Sequence, residues 1–225
     1  MRKLILLITL TTFVFSNSSA QSFSNNGYKI EGEIAGLQDS EIILAYYFGG
    51  KQYAKDTAMA KNGKFMFSGK ESLEGGMYLI VLPEQKWFDI IISEQRFKFK
   101  TSLNDLIGNM SFVNSKENTP FYKYLNFINN KQKDIAPIRE KLKSASAQET
   151  KKLKKKQEQI DNEVLKYRED FLKRNKNIFF SKIITATIDP IIPDSPLNKD
   201  GKTDENFPFR YYKKHFWDNM DFSDS

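Results

Sequence analysis

Apolar residues in the first half of the chain alternate with polar residues over short runs, a pattern typical of half-buried β-strands. The run Lys64-Phe65-Met66-Phe67-Ser68 alternates in this way directly after Asn62-Gly63, a dipeptide that tolerates the positive φ angles of a tight turn. Residues 41–48 form a second strand, rich in β-branched and aromatic side chains. Further strands are predicted near 28–34, 52–59, 77–82, 87–92 and 96–101. About seven short strands at a spacing of roughly ten residues predict an antiparallel β-sandwich or barrel over residues 28–113.

The apolar period lengthens from 2 to that of a helix at Thr119-Pro120. Thr119 can cap a helix and Pro120 suits its first position. Apolar residues then recur on one helical face, at Phe121, Tyr124, Leu125 and Ile128. Because proline lacks an N–H group and its ring crowds the preceding turn, we expect Pro137 to kink or restart this helix.

A second, long helix is predicted from Ser144-Ala145-Ser146 to about Lys176. Two series of residues on it repeat every seven positions and are offset by four: Leu153, Ile160 and Tyr167, and Gln157, Val164 and Phe171. Such an a/d seam is buried when two helices pack together, so we expect an antiparallel hairpin. An intermolecular coiled coil is the alternative, although two heptads are few for one.

A third helix at 177–187, a polar loop at 194–207 and an aromatic-rich helix at 209–220 complete the predicted helical domain, 117–225. The predicted fold class is therefore α+β, with an N-terminal antiparallel β-sandwich or barrel followed by an α-helical hairpin domain.

Residues 1–20 have the three parts of a secretory signal: a positive start, an apolar run at 4–15 and a small-residue ending at Ser18 and Ala20. We expect cleavage between Ala20 and Gln21. A membrane anchor is the alternative, but the apolar run is shorter than the roughly 20 residues that span a bilayer. The expected protein is exported to the periplasm or cell-envelope surface, with no transmembrane span after cleavage.

Composition narrows the chemistry that is available. The chain has no cysteine, which excludes thiol and disulfide chemistry on its own residues. Its net charge of +7 is concentrated in one cluster, Lys151, Lys152, Lys154, Lys155 and Lys156. Glutamine and glutamate surround this cluster, and interleaved aromatics are missing, so we interpret it as a solvated helix face and predict no nucleic-acid partner.

No catalytic centre emerges from the motifs. The patterns GxGxxG, GxxxxGK[ST] and GxSxG are absent. Glu31 and Glu33 share a strand face and resemble a glycosidase pair, but carboxylates on a solvated strand are far commoner. His215 is the single histidine, so a histidine-based metal site is not expected, and the spaced aspartates Asp218, Asp221 and Asp224 are interpreted as solvated. We predict no enzyme activity, no catalytic residue, no cofactor and no metal.

Aromatic residues are in surplus, and interfaces favour them. The predicted interaction surface comprises Tyr46, Tyr47, Trp87, Tyr211, Tyr212 and Trp217. Because neighbouring residues on a strand point to opposite faces, at least one of Tyr46 and Tyr47 must face away from the core. Ordinary packing between the β part and the helices is the alternative interpretation.

Several motifs carry a family resemblance. In the β part they are Gly32-Glu33-Ile34, Asp56-Thr57, Asn62-Gly63-Lys64-Phe65-x-Phe67-x-Gly69 and Tyr78. This part resembles a domain of unknown function found in exported Gram-negative proteins, usually ahead of a thioredoxin-like domain. The helical domain that commonly links the two is matched by Ser115-Lys116-Glu117-Asn118, Phe121-Tyr122-x-Tyr124-Leu125 and the closing run from His215 to Asp224.

The resemblance implies a context rather than an activity. Family members often continue into a thioredoxin-like fold with a Cys-x-x-Cys pair and are called thiol:disulfide interchange proteins, but those redox residues match no position here. We therefore expect either a truncated form or a stand-alone accessory form, whose partner is a protein or a downstream thioredoxin-like domain. The alternative is a stand-alone periplasmic or surface protein that binds a peptide or glycan. A hydrolase with an unrecognised site has the least support.

Overall fold

The computed structural model describes residues 27–197 and 201–220, so the predicted leader, Asp221 and Asp224 lie outside the described residues. The described residues contain eight strands, β1 Tyr28–Ala35, β2 Ser40–Phe48, β3 Lys51–Ala60, β4 Lys64–Gly69, β5 Gly76–Val81, β6 Trp87–Ile92, β7 Arg96–Ser102 and β8 Ser111–Val113. The helices that follow in the same residues are α1 Asn118–Leu142, α2 Ala147–Arg174, α3 Phe179–Ala186 and α4 Phe207–His215.

The strands form two four-stranded sheets, ordered β4-β1-β7-β8 and β3-β2-β5-β6. Residues that alternate along each strand meet in one shared core, with Ile30, Phe67 and Phe99 from the first sheet and Leu44 and Ile80 from the second. All five are almost inaccessible to solvent. The predicted α+β class with an N-terminal sandwich is confirmed.

Two details differ from the predicted antiparallel arrangement. β1 and β7 run parallel, with Ile30 beside Phe97, and the three-residue β8 was not predicted. Alternation reports which face of a strand is buried but not which direction its neighbour runs. A three-residue strand is too short for alternation to be recognised.

The Asn62-Gly63 turn is confirmed, with φ angles of 50° and 75° at the two residues. Lys61 and Lys64 exchange two backbone hydrogen bonds across it. The strands on either side then separate, because β3 belongs to the second sheet and β4 to the first. A Cβ on Gly63 would lie 2.4 Å from the Ile34 carbonyl oxygen, so this crossing between the sheets requires glycine for space as well as for its positive φ.

The helical hairpin forms as predicted. Ser146 and Glu149 make a capping box at the start of α2. The α2 seam faces α1, since Tyr167 stacks on Phe127 at 3.7 Å between ring centroids and Phe171 contacts Tyr124 at 5.1 Å. This seam is therefore covered within the chain.

The predicted start of α1 and a restart at Pro137 are wrong. The helix begins at Asn118, with Glu117 rather than Thr119 at the cap position, and it continues through Pro137 without interruption. Thr119 instead donates its hydroxyl to the Ser115 carbonyl oxygen. Pro137 is exposed while Ile135 is buried beside it, so packing of the apolar side of α1 outweighs the cost of one lost hydrogen bond.

The segment 115–118 joins the sandwich to the helices. The Asn118 amide donates to the Ile91 carbonyl oxygen and accepts from the Ile91 N–H, both at 2.7 Å. β6 is an edge strand of its sheet, so this side chain pairs with backbone groups that would otherwise lack a ladder partner. Tyr122 adds a third bond, from its hydroxyl to the Asp89 carbonyl oxygen at 2.7 Å. The first turn of α1 thereby covers the β6 edge.

The adjacent residue, Glu117, extends the joint to α3. Its buried carboxylate accepts hydrogen bonds from the N–H groups of Phe179 and Phe180, at 2.8 and 3.3 Å. These are the free donors of a helix start, where a negative charge is favourable. Phe180 packs behind them against Phe121. Within the described residues, none of the helices is both long enough and apolar enough to cross a membrane.

Candidate functional site: an apolar sheet face

The outward side of the second sheet is the main candidate site. On β5, on β6 and over residues 43–47 of β2, the residues that alternate with the core positions point away from the first sheet. We call this surface the apolar sheet face, and its members are Ile43, Ala45, Tyr47, Met77, Leu79, Val81, Trp87, Asp89 and Ile91. Pairing places Ala45, Leu79 and Asp89 in one row across the three strands. Eight of these nine side chains are apolar or aromatic, whereas the free face of an antiparallel sheet is commonly polar.

The outward side of the first sheet shows the usual arrangement. Glu31 forms ion pairs with Lys29 and Lys98 at 2.9 and 3.0 Å, and Glu33 pairs with Lys100 at 2.9 Å. Hydrogen bonds from these lysines lower the pKa of both carboxyl groups. A glycosidase acid needs a raised pKa, so Glu31 and Glu33 form a solvated charge ladder, as predicted.

Tyr47 organises the apolar sheet face. Its hydroxyl donates to the Asp89 carboxylate at 3.1 Å, although β5 lies between β2 and β6. Since neighbouring strands are about 4.8 Å apart, the Tyr47 side chain must extend across β5 to reach Asp89. This explains why Leu79, which points away from the core, is only 2% exposed. Tyr47 itself stays 43% exposed and Trp87 57% exposed.

Asp89 is the one charged member of the apolar sheet face, although exposed Glu41 points the same way near the start of β2. Burial raises its pKa, while the hydrogen bond from Tyr47 opposes that shift. Burial, with the nearby Asp89 charge, raises the pKa of the Tyr47 hydroxyl. Burial likewise raises the pKa of Tyr122, so this hydroxyl remains a donor at any physiological pH. The face thus holds a carboxylate whose charge is poorly solvated, beside exposed aromatic rings.

We expect the substitution Asp89→Asn to stabilise the protein at neutral pH. A carboxyl group with a raised folded-state pKa favours folding below its unfolded pKa and loses that contribution as pH rises through the folded pKa. The neutral amide can still accept from Tyr47 and carries no desolvated charge. The midpoint of thermal unfolding should rise at pH 7, and the gain should vanish near pH 3. An equal gain at both pH values would show that the Asp89 charge is not responsible.

Tyr46 lies apart from Tyr47 and Trp87. It points to the core side of β2, where its ring contacts Tyr53 at 5.8 Å and Tyr78 at 6.2 Å. Of the adjacent tyrosines, Tyr47 is therefore the one that faces outward. The β2–β3 hairpin adds a residue that the prediction left out, Phe48, which is 71% exposed at its tip. Alternation places Phe48 on the core side of β2. The hairpin extends beyond the core at this point, so the exposure of Phe48 is visible only in the structure.

The predicted aromatic residues of the C-terminal part lie on and after α4. Tyr212 donates to the Asp189 carboxylate at 3.0 Å and contacts the Phe216 ring. Trp217 packs edge-on against Phe216, 4.7 Å between centroids, and is about half exposed. Tyr211 contacts Phe207 and His215. Tyr212 thus ties α4 to the segment that follows α3. None of the three predicted residues shares an element with Tyr47 and Trp87.

A groove of about 560 Å³ lies near this C-terminal part. Its apolar lining includes Leu172 from α2, Phe179 and Ile183 from α3, and Met220. The predicted residues Tyr211, Tyr212 and Trp217 do not line it. His215 lies at the surface, with its Nδ1 atom 2.6 Å from the Asp218 carboxylate. Across residues 27–197 and 201–220, no group of three or more His, Cys, Asp or Glu side chains could hold a metal ion.

The fold places the protein in the class of β-sandwiches joined to a helical hairpin. A comparison with known protein families adds a family match for the sandwich. Residues 28–121 match the family described as Domain of unknown function (DUF4369). The matched stretch includes the whole sandwich and the 115–118 joint. No curated protein and no solved structure gives a significant match.

Proposed function

We propose that this protein is a non-catalytic, exported accessory module that binds another protein through the apolar sheet face. The observation that carries the proposal is the contrast between the two outer faces of the sandwich. The outer face of the first sheet pairs each glutamate with lysine, whereas the outer face of the second sheet exposes Tyr47 and Trp87 around buried aliphatic residues. Together with the partly exposed Ile43, Met77 and Val81, these rings form an apolar patch of the kind that marks interaction sites in soluble domains.

The chemistry of the face favours a protein partner. Interface centres are depleted in charge and enriched in aromatic residues and methionine, and the face combines Tyr47, Trp87 and Met77 with one carboxylate. Tyr47 is held by Asp89 across β5, so its ring loses little further freedom on binding. The family resemblance supplies the kind of partner: a thioredoxin-like domain, either downstream or on a separate chain. Export rests on the signal pattern of residues 1–20.

A second candidate is a stand-alone peptide- or glycan-binding protein. One observation favours a glycan, namely that the exposed rings of Trp87 and Tyr47 lie on the same face as the Asp89 carboxylate. An aromatic ring can pack on the apolar side of a sugar, and a carboxylate can accept hydrogen bonds from its hydroxyls. A protein partner would instead cover all three strands.

Site-specific photo-crosslinking in the expressing cells tests the proposal. A photoreactive amino acid placed at Trp87 should give a discrete protein adduct, because this ring protrudes from the apolar sheet face. Mass spectrometry of the adduct should identify a thioredoxin-like protein. The matched control position is Met66, which is similarly exposed but belongs to the first sheet, and no discrete adduct is expected there.

Two outcomes would contradict the proposal. Absence of any adduct from Trp87, either to another protein or within the chain, with the folded protein present at normal levels, would remove the protein partner. Adducts of equal yield from Met66 and Trp87 would indicate non-specific proximity. Glycan-array binding that is lost in both Trp87→Ala and Tyr47→Ala, without protein adducts, would support the second candidate.

A further inference from the structure

The turn between α1 and α2 carries most of the net charge of the chain. Residues 139–156, which we call the basic tip, contain eight lysine and arginine residues and two glutamates. Their net charge of +6 compares with +7 for the whole chain. The cations are Arg139, Lys141, Lys143, Lys151, Lys152, Lys154, Lys155 and Lys156.

The basic tip lies far from the sandwich. The joint to β6 is at Asn118, the first residue of α1, and the tip begins near the other end of that 25-residue helix. With a rise of 1.5 Å per residue, this separation is about 35 Å. On α2, only Leu153 of residues 151–156 is partly covered, and the five lysines around it are exposed. At 100° per residue these lysines span an arc of roughly 200°.

Almost none of this charge is compensated inside the fold. Lys143 pairs with Glu140, and the Glu149 carboxylate is occupied by the capping box with Ser146. Within the described residues, no carboxylate forms an ion pair with the other seven cations of the tip. Lysines three and four positions apart on one helix repel each other, which weakens the helix. The charge therefore adds nothing to folding, and it is available to an external anionic partner.

We propose that the basic tip binds the surface of an anionic lipid bilayer end-on, through lipid phosphate groups. Seven of the eight cations are lysine, a compact hydrated charge that suits a diffuse anionic surface better than bidentate recognition of one phosphate. The tip has no aromatic residue on which nucleic-acid bases could stack, and no exposed apolar centre of the kind that protein interfaces need. Because the lysines are distributed around the helix, several of them can reach an extended anionic surface at once when the tip meets it end-on.

Vesicle co-sedimentation of the full chain tests the proposal. Binding to vesicles of phosphatidylcholine with 30% phosphatidylglycerol is compared with binding to vesicles of pure phosphatidylcholine. Insertion of an apolar segment such as residues 4–15 does not depend on lipid charge, so it contributes equally to binding of both kinds of vesicle. The wild-type chain should bind the anionic vesicles more tightly, and the difference should disappear in 1 M salt. Replacing Lys151, Lys152, Lys154, Lys155 and Lys156 with glutamine should weaken anionic binding by about 100-fold or more, since each lysine contributes independently near such a surface.

A matched variant separates local charge from total charge. Replacing Lys51, Lys55, Lys61, Lys213 and Lys214 with glutamine removes the same charge from exposed positions elsewhere and should leave most of the binding intact. Circular dichroism verifies that both variants keep their helices. Equal losses in the two variants, equal binding to both vesicles, or binding to heparin or DNA without binding to anionic vesicles would each overturn the proposal.

Discussion

Replacing Asn118 with alanine is expected to lower the free energy of unfolding by about 3 kcal/mol or more. Asn118 is fully buried, and its amide satisfies both backbone groups of Ile91, which is also fully buried. Alanine removes a donor and an acceptor together, so two backbone groups of the edge strand would lose their partners away from water. Each orphaned group costs roughly 1–3 kcal/mol, and the vacated volume adds to that cost.

Urea unfolding measures this loss, and Asn130→Ala provides the control. Asn130 lies on the same helix but is exposed, so its replacement should change stability by less than about 0.5 kcal/mol. The Asn118 variant should also unfold in two resolved steps if the joint couples the sandwich to the helices. Equal stability of the two variants would show that the α1–β6 contact is not energetically significant.

Replacing Phe180 with alanine is expected to cost about 3–5 kcal/mol, the range for a buried phenylalanine. Its ring lies among three others, 4.6 Å from Phe121, 5.4 Å from Tyr124 and 5.7 Å from Phe171. These residues come from α1 and α2, so Phe180 is the aromatic contact of α3 with the hairpin, and Ile184 of α3 is buried in the same core. Without the Phe180 ring, Ile184 and the Glu117 carboxylate would remain to hold α3, but the groove formed by α2, α3 and Met220 should open.

The neighbouring phenylalanine is a control of identical chemistry. Phe179 is 36% exposed, whereas Phe180 is 6% exposed, so Phe179→Ala should cost much less, on the order of 1 kcal/mol. Thermal unfolding with calorimetry compares the two, and a hydrophobic dye should bind the Phe180 variant alone. Similar losses from both substitutions would mean that α3 is held by its whole surface rather than by one ring.

The stability and interaction roles fall on different residues. Asn118 and Tyr122 hold α1 against the sandwich, and Glu117 and Phe180 hold α3 against the hairpin. Tyr47 and Trp87 are exposed on the outward side of the second sheet. Substitutions at Trp87 should therefore alter binding without large changes in stability, because that side chain is more than half exposed. The same separation makes the crosslinking test interpretable, since a variant at position 87 is expected to fold.

Local pattern was sufficient for the elements themselves. The alternation of Phe65 and Phe67, the Asn62-Gly63 turn and the heptads of α2 are each a pattern or turn signal carried by residues close together in sequence. For that reason, strand and helix positions, the sandwich class and the hairpin could be predicted. The outward direction of one of Tyr46 and Tyr47 followed from the same two-residue period.

Only the tertiary structure decided how these elements meet. The parallel pairing of β1 with β7, the continuity of α1 through Pro137 and the pairing of Asn118 with Ile91 depend on residues distant in sequence, whose packing can outweigh local preference. The sequence alone determined an α+β chain with a predicted leader, no thiol chemistry and a surplus of aromatic residues. The tertiary structure decided which aromatics form a common surface, because Tyr47 and Asp89 are 42 residues apart and meet only when β5 inserts between their strands.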